Sequence, residues 1–425
     1  MARIASDTGG FYQHLRWLPA KPAVLNGLSV VVVAFGVALA AILFATDLHA
    51  EPVVLATGLV VGAILIAAVV VLRLYANHLS SWPEANDELY QALLKGDHDR
   101  ADQAIVKVQE LVNVLPTDDF ARGVVLAYLA LYYDYRAMSP EAKAAYKESM
   151  RVLDLHRLYD PISYLQILSN ASSFYMTHRD FEAAESMLDR SSDFLAAVRE
   201  RPDLVDPWLI IEHKLCIHQS LAYLLMQSGE LASARDSLER SQNLLRRVHL
   251  ERRGYYHDSF SLLRAWLHTY EGNPDAAQSE YDRLDRPEEF HGVALHARIL
   301  MLQGRLEKAE REMRRVFEIS ARTFELHHPA YFEMRCYQAD CLYDLGRRRE
   351  AFEMFGEVRS LVEDFDLPRN EAWRATLEKW RRRAVEGSDT DLQAALNSDL
   401  AKKPDPHNTG IMVLQRIRSY GARDD

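Results

Sequence analysis

Two long uncharged runs come first along the chain, and a different hydrophobic rhythm follows them. From Ala23 to Ala45, and again from Val53 to Leu72, no side chain carries a charge, and each run is long enough to cross about 30 Å of hydrocarbon as a helix. Val, Ile and Ala fall all round such a helix with no polar stripe to face water, which argues against a buried hairpin in a water-soluble core. A cleaved leader also fits poorly, because signal h-regions are only about 7–15 residues long. The pattern predicts transmembrane helices over 23–45 and 53–73. From about residue 85 onward apolar residues return every three or four positions, Ala, Leu, Glu and Arg dominate, and no stretch sustains strand alternation, so the predicted class is all-α.

Basic residues set the expected orientation. Arg3, Arg16 and Lys21 precede the first run and Arg73 closes the second, whereas the connecting loop 46–52 holds neither Lys nor Arg. Cytoplasmic segments carry the excess of Lys and Arg, so the segment 1–22 and everything after residue 73 are expected on the cytoplasmic side of a two-pass membrane protein, in a bacterial inner membrane, with the loop outside. Gly58 and Gly62 form a G-x-x-x-G and Gly36 with Ala40 a small-x-x-x-small pair, spacings that allow close packing of the two membrane helices.

Through the helical region a single phrase recurs: "SGELASARDSL", "QGRLEKAEREM", "LGRRREAFEMF". In each a Gly stands five residues before an Ala, as Gly229 and Ala234, Gly304 and Ala309, Gly346 and Ala351. Gly96 with Ala101 and Gly272 with Ala277 repeat the spacing, Arg179 with Ala184 replaces the Gly, and Ser139 with Ala144 gives a weaker copy. Anchors at 96, 139, 179, 229, 272, 304 and 346 recur about every 42 residues. Small residues stand seven before the anchor (Ser172, Ala222, Ala265, Ala297, Ala339) and large ones nine after it (Ile105, Leu188, Leu238, Tyr281, Met313, Phe355). A small residue on one helix lets the next approach closely, and Gly permits the tight turn between them. Glu148 breaks the large apolar position of the second copy, and two prolines in "RERPDLVDPW" mark a longer connection inside a 50-residue interval.

These positions resemble the tetratricopeptide repeats, in their longer form of about 42 residues. The resemblance covers roughly residues 85–365 and implies an α-solenoid of helix pairs, expected over 85–385, followed by a linker and a short amphipathic segment over 386–425. It further implies a partner-binding concave face lined by first-helix positions nine and six residues before each anchor. Carried over, these are Asn170, Ser220, Leu263, Leu295 and Tyr337, and Tyr133, Ser173, Tyr223, Trp266, Arg298 and Asp340, with the Gln219 amide beside Ser220. Only Asn170 matches the family's peptide-gripping amide. The mixture of Tyr, Trp, Ser and Arg is what protein-binding surfaces favour.

Charge and cysteine content narrow the partners. The first 75 residues hold four basic and three acidic side chains, leaving 46 of the 50 basic and 58 of the 61 acidic groups for the remainder. That acidic balance speaks against a general nucleic-acid surface. Cys216, Cys336 and Cys341 are an odd number without C-x-x-C spacing, signalling neither a disulfide framework nor a zinc knuckle. No nucleotide-binding, zinc-protease or nucleophile-elbow motif occurs. In "EHKLCIHQS" His213 and Cys216 share a helix face while His218 points elsewhere, so no metal site is expected there.

The expectation is therefore a non-enzymatic, membrane-anchored scaffold without cofactor, binding proteins or peptides that include membrane-complex subunits, with homo-oligomers allowed. A peptide or small-molecule sensor and a regulatory subunit of a membrane enzyme are the alternatives.

Overall fold

The computed structural model describes residues 82–402 apart from 94, 200, 202–204, 249, 286, 322–327, 366 and 368–370. The expected spans 23–45 and 53–73, the segment 1–22, the loop 46–52, the small residues Gly36, Ala40, Gly58 and Gly62, and residues 403–425 lie outside the described residues. Among the described residues no helix is long and apolar enough to cross a membrane, and no strand occurs.

Sixteen α-helices run through the described residues. They are α1 (82–93), α2 (His98–Val114), α3 (Phe120–Tyr135), α4 (Ser139–Leu155), α5 (Pro161–Thr177), α6 (Phe181–Arg199), α7 (Pro207–Gln227), α8 (Leu231–Leu245), α9 (Leu250–Tyr270), α10 (Pro274–Tyr281), α11 (Phe290–Leu302), α12 (Leu306–Ser320), α13 (Phe332–Asp344), α14 (Arg348–Asp364), α15 (Glu371–Glu386) and α16 (Thr390–Ala401). The chain divides into two compact units, Met1–Tyr132 and Tyr133–Asp425. In the first, Leu89 and Leu93 of α1 and Val108 and Leu111 of α2 are buried, and Lys107 reaches Glu88 at 2.9 Å.

Eight turns among the described residues share one backbone plan. Residues 96, 137, 179, 229, 272, 304, 346 and 388 all have positive φ, between 55° and 86°, and each ends an odd-numbered helix. The N–H of that residue returns to the carbonyl three back, and the next N–H to the carbonyl five back. Gly304 N to Met301 O (2.9 Å) with Arg305 N to Leu300 O (2.9 Å) is one instance, Ala137 N to Asp134 O (2.9 Å) with Met138 N to Tyr133 O (2.8 Å) another. This pair of bonds satisfies carbonyls that a helix end leaves orphaned, and the left-handed residue turns the chain back. In four turns the next residue is Asp97, Asp180, Asn273 or Asp389, whose side chain caps the following helix. Two adjacent residues thus end one helix and start the next.

The plan corrects the register of the second copy. Its left-handed residue is Ala137, not Ser139, so the small residue five later is the fully buried Ala142, while Ala144 is exposed. The large position nine later becomes Tyr146, 1% exposed, and Glu148 moves to the surface, where it pairs with Arg151. The position six before the anchor then shifts from Tyr133 to Leu131. Sequence matching misses this because the turn there contains no glycine.

From α5 to α13 the first helices of successive pairs touch one another, and each second helix from α6 to α12 packs against its own partner and the next first helix. The first helices therefore form one layer. Two places depart from the average. α6 and α7 run 19 and 21 residues, with Asp206 capping α7 ahead of Pro207, which accounts for the long interval. α10 has only 8 residues, so α11 starts close against the chain before it: a Cβ on Gly292 would lie 2.4 Å from the Pro287 carbonyl oxygen. The helical series also continues past 385. α15 and α16 form a further pair around Ser388, with Trp380 stacked on Phe355 (4.4 Å between centroids, 11°) and Leu392 and Leu396 buried in the same cluster.

Candidate partner-binding face

The structure sorts the first-helix positions into three groups. Asn170 and Ser173 lie half-buried on α5, where Asn170 accepts from Gln166 at 3.3 Å. Gln219 on α7 is 1% exposed and accepts from Ser259 of α9 at 3.4 Å, so it belongs to the packing between two first helices.

The second group surrounds a residue that sequence matching does not single out. Glu333, one turn before Tyr337 on α13, accepts from the hydroxyls of Tyr270 and Tyr337, both at 2.6 Å, and from the Gln227 amide at 3.1 Å. Gln227 also donates to the Tyr270 oxygen at 2.9 Å, and Tyr223 stands beside them. Burial, reinforced by the nearby Glu333 carboxylate, pushes the phenols of Tyr223, Tyr270 and Tyr337 well above their ordinary range. They therefore remain neutral donors. Arg298 lies over the Tyr337 ring at 4.5 Å, and Arg179 over Phe332 at 4.9 Å and Phe181 at 5.2 Å. Trp266 is only 7% exposed and faces Tyr270 at 6.3 Å; it supports this cluster from behind. The spacing of four between Glu333 and Tyr337 is the available signal, but a carboxylate beside a tyrosine on a helix is commonplace.

The third group is Asp340, held by Lys379 and Arg383 of α15 at 2.6 Å each. Arg383 also covers Tyr343 and Trp380, at 4.3 and 4.9 Å. Asp340 therefore fixes the last helix pair to α13 and is already occupied by that role.

A further polar cluster joins three distant segments. His328, fully buried, accepts the Ala330 N–H on Nδ1 at 3.1 Å. Its Nε2 lies 3.3 Å from Asp134 Oδ1. The His178 Nδ1 faces the Phe174 carbonyl at 3.0 Å. A carbonyl can only accept, so this ring is protonated on Nδ1, and its Nε2 accepts from Ser139 Oγ at 2.7 Å. The same Nε2 is 3.8 Å from Asp134 Oδ1. Burial lowers the His178 pKa against the pull of Asp134. Among the described residues no group of three His, Cys, Asp or Glu side chains is placed to hold a metal ion.

The cysteines are thiols, with Cys216 and Cys341 buried and Cys336 half-buried. Burial pushes Cys216 up to about 12 and Cys341 to about 11. His213 on α7 is driven the other way by burial, down to about 4. None of these groups has the lowered thiol or poised imidazole of a nucleophilic site.

A family model described as tetratricopeptide repeat matches residues 292–364. The matched stretch runs from Gly292 in α11 to the end of α14, two consecutive helix pairs carrying the shared turn, and no curated protein matches the chain.

Proposed function

We propose that the chain is a non-catalytic scaffold that binds proteins or peptides on the layer of first helices and is held at the cytoplasmic face of a membrane by helices over 23–45 and 53–73. The observation that supports binding is the tetratricopeptide match over 292–364, in a chain whose backbone repeats one turn eight times through its described residues. Solenoids of this kind offer an extended face rather than an enclosed pocket, and that face is their usual binding surface. The two uncharged runs and the basic residues around them support the anchor and its orientation. Tethering raises the effective concentration of a bound partner near membrane-embedded neighbours. That gives a scaffold without chemistry of its own a definite effect.

Crosslinking the full-length chain in intact membranes, with a photoreactive residue at Ser173, tests the reading. The expected result is a discrete crosslinked partner that is reduced at least fivefold by Asn170→Ala. A captured partner unaffected by changes on α5, α7 and α9 removes the first-helix layer from the reading. For the anchor, the chain is expected to stay with membranes after alkaline carbonate washing, and a phosphatase that needs an oxidising compartment is expected to be inactive when fused after Asp425.

A further inference from the structure

The carboxylate of Glu333 reaches its partners from far along the chain. Gln227 closes α7, Tyr270 closes α9, and Glu333 arrives on α13, 106 residues after Gln227. Two phenol hydroxyls and one amide N–H converge on its two oxygens at 2.6–3.1 Å. The phenols are held in the donor state by burial. Guanidinium groups stand on either side, Arg179 against Phe332 and Arg298 against Tyr337. Neutral donors aimed at one point with cations flanking it are a carboxylate receptor, and planar acidic groups are what such donors bind best.

We propose that Tyr270, Tyr337 and Gln227 form a receptor for a carboxylate side chain of a partner peptide, and that Glu333 occupies it as an internal stand-in. The partner class follows: a segment presenting an Asp or Glu that displaces Glu333 while its backbone runs along the first helices. This deepens the scaffold reading and rests on it for the partner, but the receptor itself is testable without one. Displacing Glu333 loosens the start of α13, where Cys336 lies in the field of Glu333, Arg179 and Asp340 and its thiol is pushed up by burial. Cys336 is therefore a native reporter, and Cys216 and Cys341 are controls on other faces.

The experiment measures site-resolved maleimide labelling of the three cysteines by mass spectrometry, in full-length protein in detergent, for wild type and Glu333→Ala. Labelling of Cys336 in the variant is expected to be at least tenfold faster, with Cys216 and Cys341 within twofold of wild type. Millimolar N-acetylglutamate amide, which carries the side-chain carboxylate, is expected to slow Cys336 labelling in the variant several-fold, and the glutamine analogue to leave it unchanged. Equal protection by both compounds, or by neither, overturns the receptor; so does a parallel rise at all three cysteines. Tyr270→Phe, which removes a single hydroxyl, gives a milder variant in which the same Cys336-selective acceleration must appear. Failure to crosslink any partner, with carboxylate rescue intact, would fall on the scaffold reading and leave the receptor standing.

Discussion

Ala137, Arg179 and Ser388 adopt the left-handed conformation that Gly holds at the five equivalent turns. An L-residue there sets its Cβ against the following carbonyl, at about 1–2 kcal/mol, and a glycine relieves this while adding freedom to the unfolded chain. Ala137→Gly is therefore expected to stabilise the protein by about 0.5–1 kcal/mol. Gly304→Ala should destabilise it by about 1 kcal/mol. Nothing lies within 4 Å of a Cβ built on Gly304, so the effect is purely conformational. Urea melts of the two variants, opposite in sign, check the assignment of 137 as the anchor. A second residue-scale expectation concerns acid. His213 has its pKa lowered to about 4 by burial, so between that value and about 6.5 the unfolded chain binds more protons than the folded one. Stability should fall as pH drops through this window by up to about 3 kcal/mol, with His178 adding in the same direction. In His213→Leu the pH dependence of the denaturation midpoint over pH 4–6.5 should flatten measurably; an unchanged slope would assign acid sensitivity elsewhere.

At the scale of elements, the sequence shows most where a rule needs one residue type. The Gly and Ala spacing locates the turns at 96, 229, 272, 304 and 346, because few residues other than Gly tolerate that φ. The pairs at 137 and 388 are harder to see: Ala137 replaces the glycine at one, and at the other Ser388 is followed five residues on by Gln393 rather than Ala. The first-helix layer is legible as positions, yet Trp266, Gln219 and Asp340 prove to be taken up by packing or ion pairs. Spacing tells which helix face a residue occupies, whereas its partner 40 to 200 residues away depends on how the helices stack. Glu333 shows the limit most clearly, since its donors come from three helices. Gly292 illustrates an element boundary set by tertiary contact: α10 is short, the chain returns early, and the Pro287 carbonyl oxygen occupies the space of a Cβ. Gly292→Ala must shift backbone rather than a flexible side chain. It is expected to cost about 1–3 kcal/mol, read as a lower melting temperature with hydrogen exchange rising first in α10 and α11.

In a solenoid each repeat contacts its neighbours, and stability is close to a sum of repeat and interface contributions, so ends can unfold while the middle persists. Contacts in the second unit depart from that scheme at two places. His328 stands 3.3 Å from Asp134, and Glu333 ties α13 to the ends of α7 and α9. Such long-range links give segments far apart in sequence a common opening step, because each hydrogen bond to a charged group, as at the Glu333 carboxylate, contributes about 1.5–3 kcal/mol. The wild-type second unit should therefore show one level of protection from α5 to α14 in hydrogen exchange under mild urea. Removing the carboxylate in Glu333→Ala should leave the local turns intact, since none of their bonds involves that side chain. Cooperativity should split, with α13 to α16 exchanging at lower urea than α5 to α9 and the denaturant dependence of each block smaller than that of the intact unit. Retention of a single cooperative block in the variant would mean that side-by-side packing of first helices alone couples the repeats, and that the polar cluster around Glu333 serves binding without serving assembly.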